Sequence, residues 1–325
     1  MTGVNFREVE AADDDLRLDR WFRRHYAGLS HGRLQKLLRT GQVRVDGKRA
    51  KSGFRLKAGQ MVRVPPLGDQ DKKSRRQTSP MAESDRAFVR GLVVREDDLF
   101  FALNKPAGLA VQGGSKTPRH IDGMLGGLVE EGSERPRLVH RLDKDTSGVL
   151  LVARSAQAAD RLGKCFRHRL AKKQYWALVA GVPTPRQGEI DLPLAKMGTQ
   201  GRERVQPDPE SGQSALTRYY VVETIGRRCA WVALYPLTGR THQLRVHMAA
   251  IGHPILGDGK YGGERAFLDG VTGKMHLHAN QIAMPHPAGR GELLVNAPLT
   301  SHMLESWRFF GLDDSLDLEI EPGEI

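Results

Sequence analysis

His140-Arg141-Leu142-Asp143-Lys144-Asp145-Thr146-Ser147-Gly148 sets acidic side chains between basic ones in a polar turn that runs straight into the apolar segment Val149-Leu150-Leu151-Val152-Ala153. A carboxylate fixed at the mouth of a buried strand can stay ionised and act as base or nucleophile, because the strand holds the backbone while the polar residues face a cleft. Taken alone, the same residues also describe a solvated charge cluster. Three further blocks accompany them. Asn104-Lys105-Pro106-Ala107-Gly108-Leu109-Ala110-Val111 comes before, Lys173-Gln174-Tyr175-Trp176-Ala177-Leu178-Val179-Ala180-Gly181 after, and Leu237-Thr238-Gly239-Arg240-Thr241-His242-Gln243-Leu244-Arg245-Val246-His247 later still.

Together the four blocks, in this order from about Leu92 to Phe310, resemble the RluA-type family of pseudouridine synthases. The resemblance implies isomerisation of uridine within RNA: the bond from C1′ to N1 breaks, the uracil turns, and it is rejoined through C5 without redox change, cofactor or metal. It makes Asp143, in the H-R-L-D-x-x-T-S-G block, the essential residue, either as nucleophile on the sugar or as the base that removes the C2′ proton. Burial alone would raise the pKa of that carboxyl, and the family's ion-pair partner, which maps onto Arg245, is expected to hold it down. Tyr175 corresponds to the tyrosine that packs on the uracil, with help in removing the C5 proton as a second task. Arg141 is suited to filling the gap left by the flipped base. Asn104 and Lys105 sit in a turn after a strand, where a loop could touch RNA, although Pro106 and Gly108 equally serve the turn itself.

Leu109 to Ser115 and His140 to Arg154 look most like the members that modify uridines of large-subunit (23S) ribosomal RNA. RluD-like and transfer-RNA specificity are the alternative substrates. From a different class, a non-catalytic RNA-binding ribosome-assembly factor would retain the fold; the presence of both Asp143 and Arg245 speaks against it.

Other chemistries fit less well. His140, His242, His247, His253, His276 and His278 invite a metal reading, but His242 and His247 do not match the i, i+4 helical spacing of a zinc site, and Arg240 and Arg245 would repel a cation. The order H-R-L-D is not the H-R-D-L of a kinase loop, and no glycine-rich nucleotide loop precedes it. Cys165 and Cys229 are the only cysteines, far apart and without metal-type pairing, as in a reducing cytoplasm.

With 325 residues and 39% hydrophobic content the chain can bury a full core in one large and one small domain. Its net charge of +12 points to a polyanionic partner. Residues 1 to 90 carry 21 Lys+Arg against 11 Asp+Glu, so most of the positive excess is N-terminal. No apolar run approaches the length of a membrane span. A cytoplasmic monomer acting on ribosomal RNA is the expectation.

The elements that must position these residues begin with a tail over 1–15. Leu18, Trp21, Phe22 and His25 then recur at helical spacing, with Asp15 placed to begin the helix and Gly28 to end it. Ser30 caps a second helix whose Leu34, Leu37 and Leu38 form an apolar stripe, while Arg33, Lys36 and Arg39 line another face before Gly41. Val43-Arg44-Val45 enters a hairpin turn at Asp46-Gly47, and Met61-Val62-Arg63-Val64 adds a strand. This helix-helix-hairpin pattern over 16–66 resembles the S4 RNA-binding domain, which implies that Arg33, Lys36, Arg39 and Arg44 contact RNA. The family's usual Gly-Asp before the last strand is Gly59-Gln60 here, which changes the turn chemistry.

Residues 67–88 read as a flexible basic linker, residues 89–310 as the catalytic domain, and residues 311–325 as a solvated acidic tail. In the catalytic domain, strands at Leu99 to Leu103, Val149 to Ala153 and Tyr175 to Val179 alternate with loops, and Ala159, Leu162 and Phe166 mark a helix. That mixture predicts an α+β fold. The resemblance adds a mixed, mostly antiparallel sheet bisected by the active-site cleft.

Overall fold

Two units divide the chain, Met1–Pro80 and Met81–Ile325; the computed structural model describes residues 3–26, 28–29, 31–67, 81–114, 117–198 and 204–318. The first unit contains β1 (Asn5–Glu8), α1 (Leu18–His25), α2 (His31–Arg39), β2 (Arg44–Val45), β3 (Lys48–Arg49) and β4 (Met61–Val64). Leu18, Trp21 and Phe22 of α1 and Leu34, Leu37 and Leu38 of α2 share one core with Val45, Val62 and Val64 of the sheet. The i, i+3, i+4 spacing put those side chains on one helix face. Asp46 (φ 47°) and Gly47 (φ 76°) both take positive φ, the geometry of a type I′ hairpin turn.

Several details differ from the sequence expectation. Part of the expected tail is a strand: β1 pairs antiparallel with β4, and Val9 is buried. Its side chains are mostly exposed, so burial left no pattern to read. Arg17, not Asp15, stands at the N-cap of α1, which ends at His25. At the altered turn the Gln60 side chain accepts from Lys57 N and donates to Asp46 Oδ2, each at 2.9 Å, which closes it. Ser30 lies outside the described residues, as does the basic run Lys72 to Pro80.

The second unit opens with α3 (Glu83–Gly91), where the expected linker would still continue. Its Val89 is fully buried, and Arg90 Nε donates to Gly127 O at 2.9 Å. Then follow β5 (Val93–Glu96), β6 (Phe100–Lys105), α4 (Ile121–Met124), β7 (Arg137–Leu138), β8 (Ser147–Ala153), α5 (Ala156–Arg167) and β9 (Lys172–Ala180). Next come β10 (Gln187–Asp191), β11 (Leu194–Met197), β12 (Arg204–Pro207), β13 (Leu216–Ile225), β14 (Cys229–Pro236), α6 (Gln243–Ala250), α7 (Gly259–Gly262), β15 (Leu277–Pro285), β16 (Glu292–Asn296) and α8 (Ser301–Phe310).

The main sheet runs β10-β13-β14-β9-β15-β8-β6-β5, with β16 beside β15 and β7 beside β8. Every ladder in it is antiparallel except β8 with β15. The fold is α+β, as expected. All residues of β8 and β14 are buried, because packing covers both sheet faces, which is why these strands read as continuous apolar runs rather than alternating ones. Gly148, at φ 107°, lets β8 meet β15: a Cβ there would collide with the Ala279 backbone.

The acids Asp313, Asp314 and Asp317 of the tail are exposed, but two of its leucines anchor it. Leu312 and Leu318 pack on the cluster of Trp176, Trp231 and Trp307, and Gln174 Nε2 donates to Leu318 O at 3.1 Å. Residues 319–325 lie outside the described residues. Among the described residues no helix is long and apolar enough to cross a membrane.

Candidate active site

Asp143 lies in the turn that feeds β8, between the buried Leu142 and Thr146. The turn is held from below by Lys105, whose Nζ donates to Pro106 O (2.9 Å), Leu109 O (2.8 Å) and Lys144 O (3.0 Å), while Gly108 N also donates to Lys144 O at 2.9 Å. Three carbonyls around one nitrogen match the three donors of an ammonium. Burial pulls the Lys105 pKa down to about 7, against the opposing pull of Asp145 and Asp143. Lys105 is 0% exposed, so the expected contact with RNA is corrected: it braces the Asp143 turn. Asn104 is likewise turned to another task, donating through Nδ2 to Pro298 O at 2.8 Å.

Tyr175 projects from β9 into a cavity of about 100 Å³ that it shares with Arg141, Asp143, Arg240, His242 and Arg245. Burial first, and the charge of Asp143 second, push the phenol pKa up, so the ring enters the site as a neutral group. Lys173, two residues earlier on the same strand, lines the cavity too; burial and then Arg169 lower its pKa to about 8. Arg141 is exposed at the rim.

Arg245 reaches the site from α6, but its hydrogen bonds go elsewhere than expected. Nε donates to Asp258 Oδ2 and Nη2 to Asp258 Oδ1, both at 2.7 Å, in a fork-to-carboxylate pair. Asp143 is near enough for its charge to favour the guanidinium, yet the residues with a side-chain atom at ion-pair range of Asp143 reduce, among those described, to His242, whose Nε2 is 4.0 Å from Oδ2. Burial works against the charged Arg245, and the bonds to Asp258 outweigh it, so its pKa is raised. The expected direct ion pair between Asp143 and Arg245 is therefore replaced by a buried Arg245–Asp258 pair that presents its positive charge to Asp143.

His242 sits at the start of α6 in the left-handed region (φ 55°), with Nδ1 hydrogen-bonded to Tyr261 Oη at 2.7 Å. Burial lowers its pKa, Arg245 and Lys260 add to that, and Asp143 opposes it. The Tyr261 ring lies under the Arg245 guanidinium, 5.0 Å from its centroid. Gln243 locks the loop before α6: Oε1 accepts from Thr238 Oγ1 (2.7 Å) and Arg240 N (3.0 Å), and Nε2 donates to Leu216 O (2.9 Å) and Thr217 Oγ1 (3.0 Å). Gln243 lies within the last of the four sequence blocks, whereas Asp258 and Tyr261, which bond Arg245 and His242, lie outside all of them. An acid and a tyrosine in Gly257-Asp258-Gly259-Lys260-Tyr261 carry no periodic or spacing signal of their own.

The remaining histidines serve the framework. His140 Nε2 accepts from Leu151 N at 2.8 Å, His247 bonds Thr217 Oγ1 (2.9 Å) and Leu192 O (3.1 Å), and His278 bonds Ser147 Oγ (2.9 Å) and Ala297 O (3.1 Å). Among the described residues no group of three His, Cys, Asp or Glu is gathered as for a metal.

The chain is 36% identical over 313 residues to the Ribosomal large subunit pseudouridine synthase C of Vibrio cholerae, covering 93% of this chain and 95% of that protein. The chain belongs to the RNA pseudouridylate synthase family. The protein of the same name from Escherichia coli K12 matches at 36% over 311 residues, covering 91% of this chain and 93% of that one. The family model described as RNA pseudouridylate synthase matches residues 99–250 of this synthase, and the S4 domain model residues 16–62. Human RNA Pseudouridylate Synthase Domain Containing 4 superposes with a TM-score of 0.60 at 28% identity, covering 71% of this chain and 98% of that one. Human RNA Pseudouridylate Synthase Domain Containing 1 does so at 0.53 and 30%, covering 65% and 85%. The synthase is thus an RNA isomerase with an N-terminal S4 domain. In that domain Lys36, Arg39 and Arg44 are exposed and Arg33 is half-buried; Arg44 also donates to Gly41 O (3.2 Å) and Gly47 O (3.1 Å).

Proposed function

We propose that this isomerase converts uridines of large-subunit (23S) ribosomal RNA to pseudouridine, as a cytoplasmic monomer without cofactor or metal. The observation that carries the chemistry is the Asp143 carboxylate facing a small cavity beside the neutral phenol of Tyr175 and the guanidinium charge of Arg245, which Asp258 anchors. The substrate class rests on the names of the relatives that match over nearly the whole chain.

In this reading the target base leaves its stack, Arg141 enters the space behind it, and the uracil lies against Tyr175. Asp143 then acts on the sugar, as nucleophile at C1′ or as base at C2′, and needs its negative charge in either role. The raised pKa of Tyr175 favours stacking over proton abstraction by a phenolate. Residues 16–66 dock the RNA through Arg33, Lys36, Arg39 and Arg44, and residues 89–310 carry the reaction.

The test is tritium release from C5-labelled uridine with purified enzyme on large-subunit ribosomal RNA and on transfer RNA, followed by site-resolved pseudouridine mapping. Release from the ribosomal RNA, abolished by Asp143→Asn with RNA binding intact, is the expected result. Modification confined to transfer RNA would overturn the substrate, and appreciable turnover by folded Asp143→Asn would overturn the catalytic assignment.

A further inference from the structure

A groove of about 450 Å³ opens beside the catalytic cavity of about 100 Å³ and shares Lys173 and Pro236 with it. It is bounded by the segment between α5 and β9, by the end of β14, and by the turn from β15 to β16. The catalytic cavity has room for one base and little more; the groove has the volume of a ligand site.

The groove combines two chemistries. Leu170 is 47% exposed and Leu237 40% exposed, large aliphatic side chains held out at the surface next to Pro236. Arg169, Lys172 and Lys173 face a single acid, Glu292. Arg169 occupies the left-handed region at φ 58°, at the turn that carries it and Leu170 out of α5. A polyanionic strand whose bases have flat apolar faces meets both requirements: cations for phosphate and apolar or guanidinium surfaces for a base. Pulling one nucleotide into the catalytic cavity also displaces its chain neighbours, and the shared wall at Lys173 and Pro236 makes the two sites contiguous along one strand.

We propose that this groove seats the nucleotide adjoining the target uridine, its base on Leu170, Pro236 and Leu237 and its phosphate toward Arg169 and Lys172. The proposal rests on the RNA substrate read above. It makes the enzyme sensitive to the presence of a base next to the target, independent of the uridine itself.

The experiment uses the full-length enzyme and a synthetic stem-loop of large-subunit ribosomal RNA containing one converted uridine, with the flanking base intact, absent on the 5′ side, or absent on the 3′ side. Arg169→Asn, whose side chain tolerates the left-handed backbone, and Leu237→Ser are compared with the parent enzyme. Loss of one flanking base is expected to lower kcat/KM about tenfold through KM. Each variant should lose about tenfold on the intact stem-loop and no more than about twofold further on that abasic one, because the contact is already gone. Equal or faster conversion of both abasic RNAs by the parent enzyme overturns the proposal, as do unchanged kinetics in both variants or losses that multiply. No conversion of the intact stem-loop would instead remove the ribosomal RNA reading, and the groove assignment with it.

Discussion

Asp258 grips the guanidinium of Arg245 in a two-bonded fork, Nε and Nη2 each 2.7 Å from a carboxylate oxygen, with both side chains almost fully buried. The fork fixes the plane and position of the Arg245 charge. Among the described residues Asp143 has no ion pair with a lysine or arginine; it faces His242 at 4.0 Å and a guanidinium charge that another carboxylate anchors. A tightly bonded Asp143 would have to break an ion pair before reacting.

Arg245→Met should reduce kcat by several orders of magnitude and leave the buried Asp258 without its cationic partner, at a cost of about 3–5 kcal/mol in unfolding free energy. Asp258→Asn should shift the pH profile of kcat by disturbing the charge that Asp143 faces. Arg245→Lys should restore little, since a point charge cannot reproduce the fork. Near-normal rate and pH profile in Arg245→Met would remove Arg245 from the site.

Lys105→Met removes the donor from the Pro106 and Leu109 carbonyls, at about 1–3 kcal/mol for each one left unsatisfied, while Lys144 O keeps its bond from Gly108 N. Chemical denaturation should show a stability loss of that order, together with a lower kcat, while RNA affinity stays unchanged. Weakened RNA binding at unchanged stability would instead return Lys105 to an RNA-contacting role.

Burial lowers the pKa of His140 to about 3 and of His276 and His278 to about 4. The unfolded chain binds these protons near the ordinary histidine value, about 6.5, and the folded chain does not. Stability should therefore be full above about pH 6.5, fall as the pH drops through that value, and level off near pH 4 with respect to His276 and His278 and near pH 3 with respect to His140. Urea midpoints measured across this window check it; a flat profile between pH 6.5 and 4 would contradict the buried, neutral assignment.

Lys36→Glu combined with Arg39→Glu, both exposed on α2, should weaken RNA binding and flatten its salt dependence. Each lost phosphate contact lowers the slope of log K against log salt by about 0.7–0.9. Filter-binding or anisotropy titrations at several salt concentrations read this directly, and an unchanged slope would place RNA docking elsewhere.

Local signals in the chain suffice to locate the four sequence blocks and the kind of element carrying each. Apolar runs such as Val149 to Ala153 encode buried strands, the Leu34, Leu37, Leu38 spacing encodes a helix face, and Asp46-Gly47 encodes a turn, because all three signals are local in the chain. Asp143, Tyr175 and Arg245 were named together by the family resemblance, each in a contiguous motif, and the three line one cavity. The tertiary structure decided which groups pair. Arg245 meets Asp258 rather than Asp143, Lys105 turns inward onto Lys144 O rather than outward to RNA, and β1 completes the first sheet through β4. These outcomes depend on which elements come together and on desolvation: a buried guanidinium or ammonium takes whatever oxygens the packed backbone and neighbouring loops bring within reach, and those oxygens belong to residues distant in the chain.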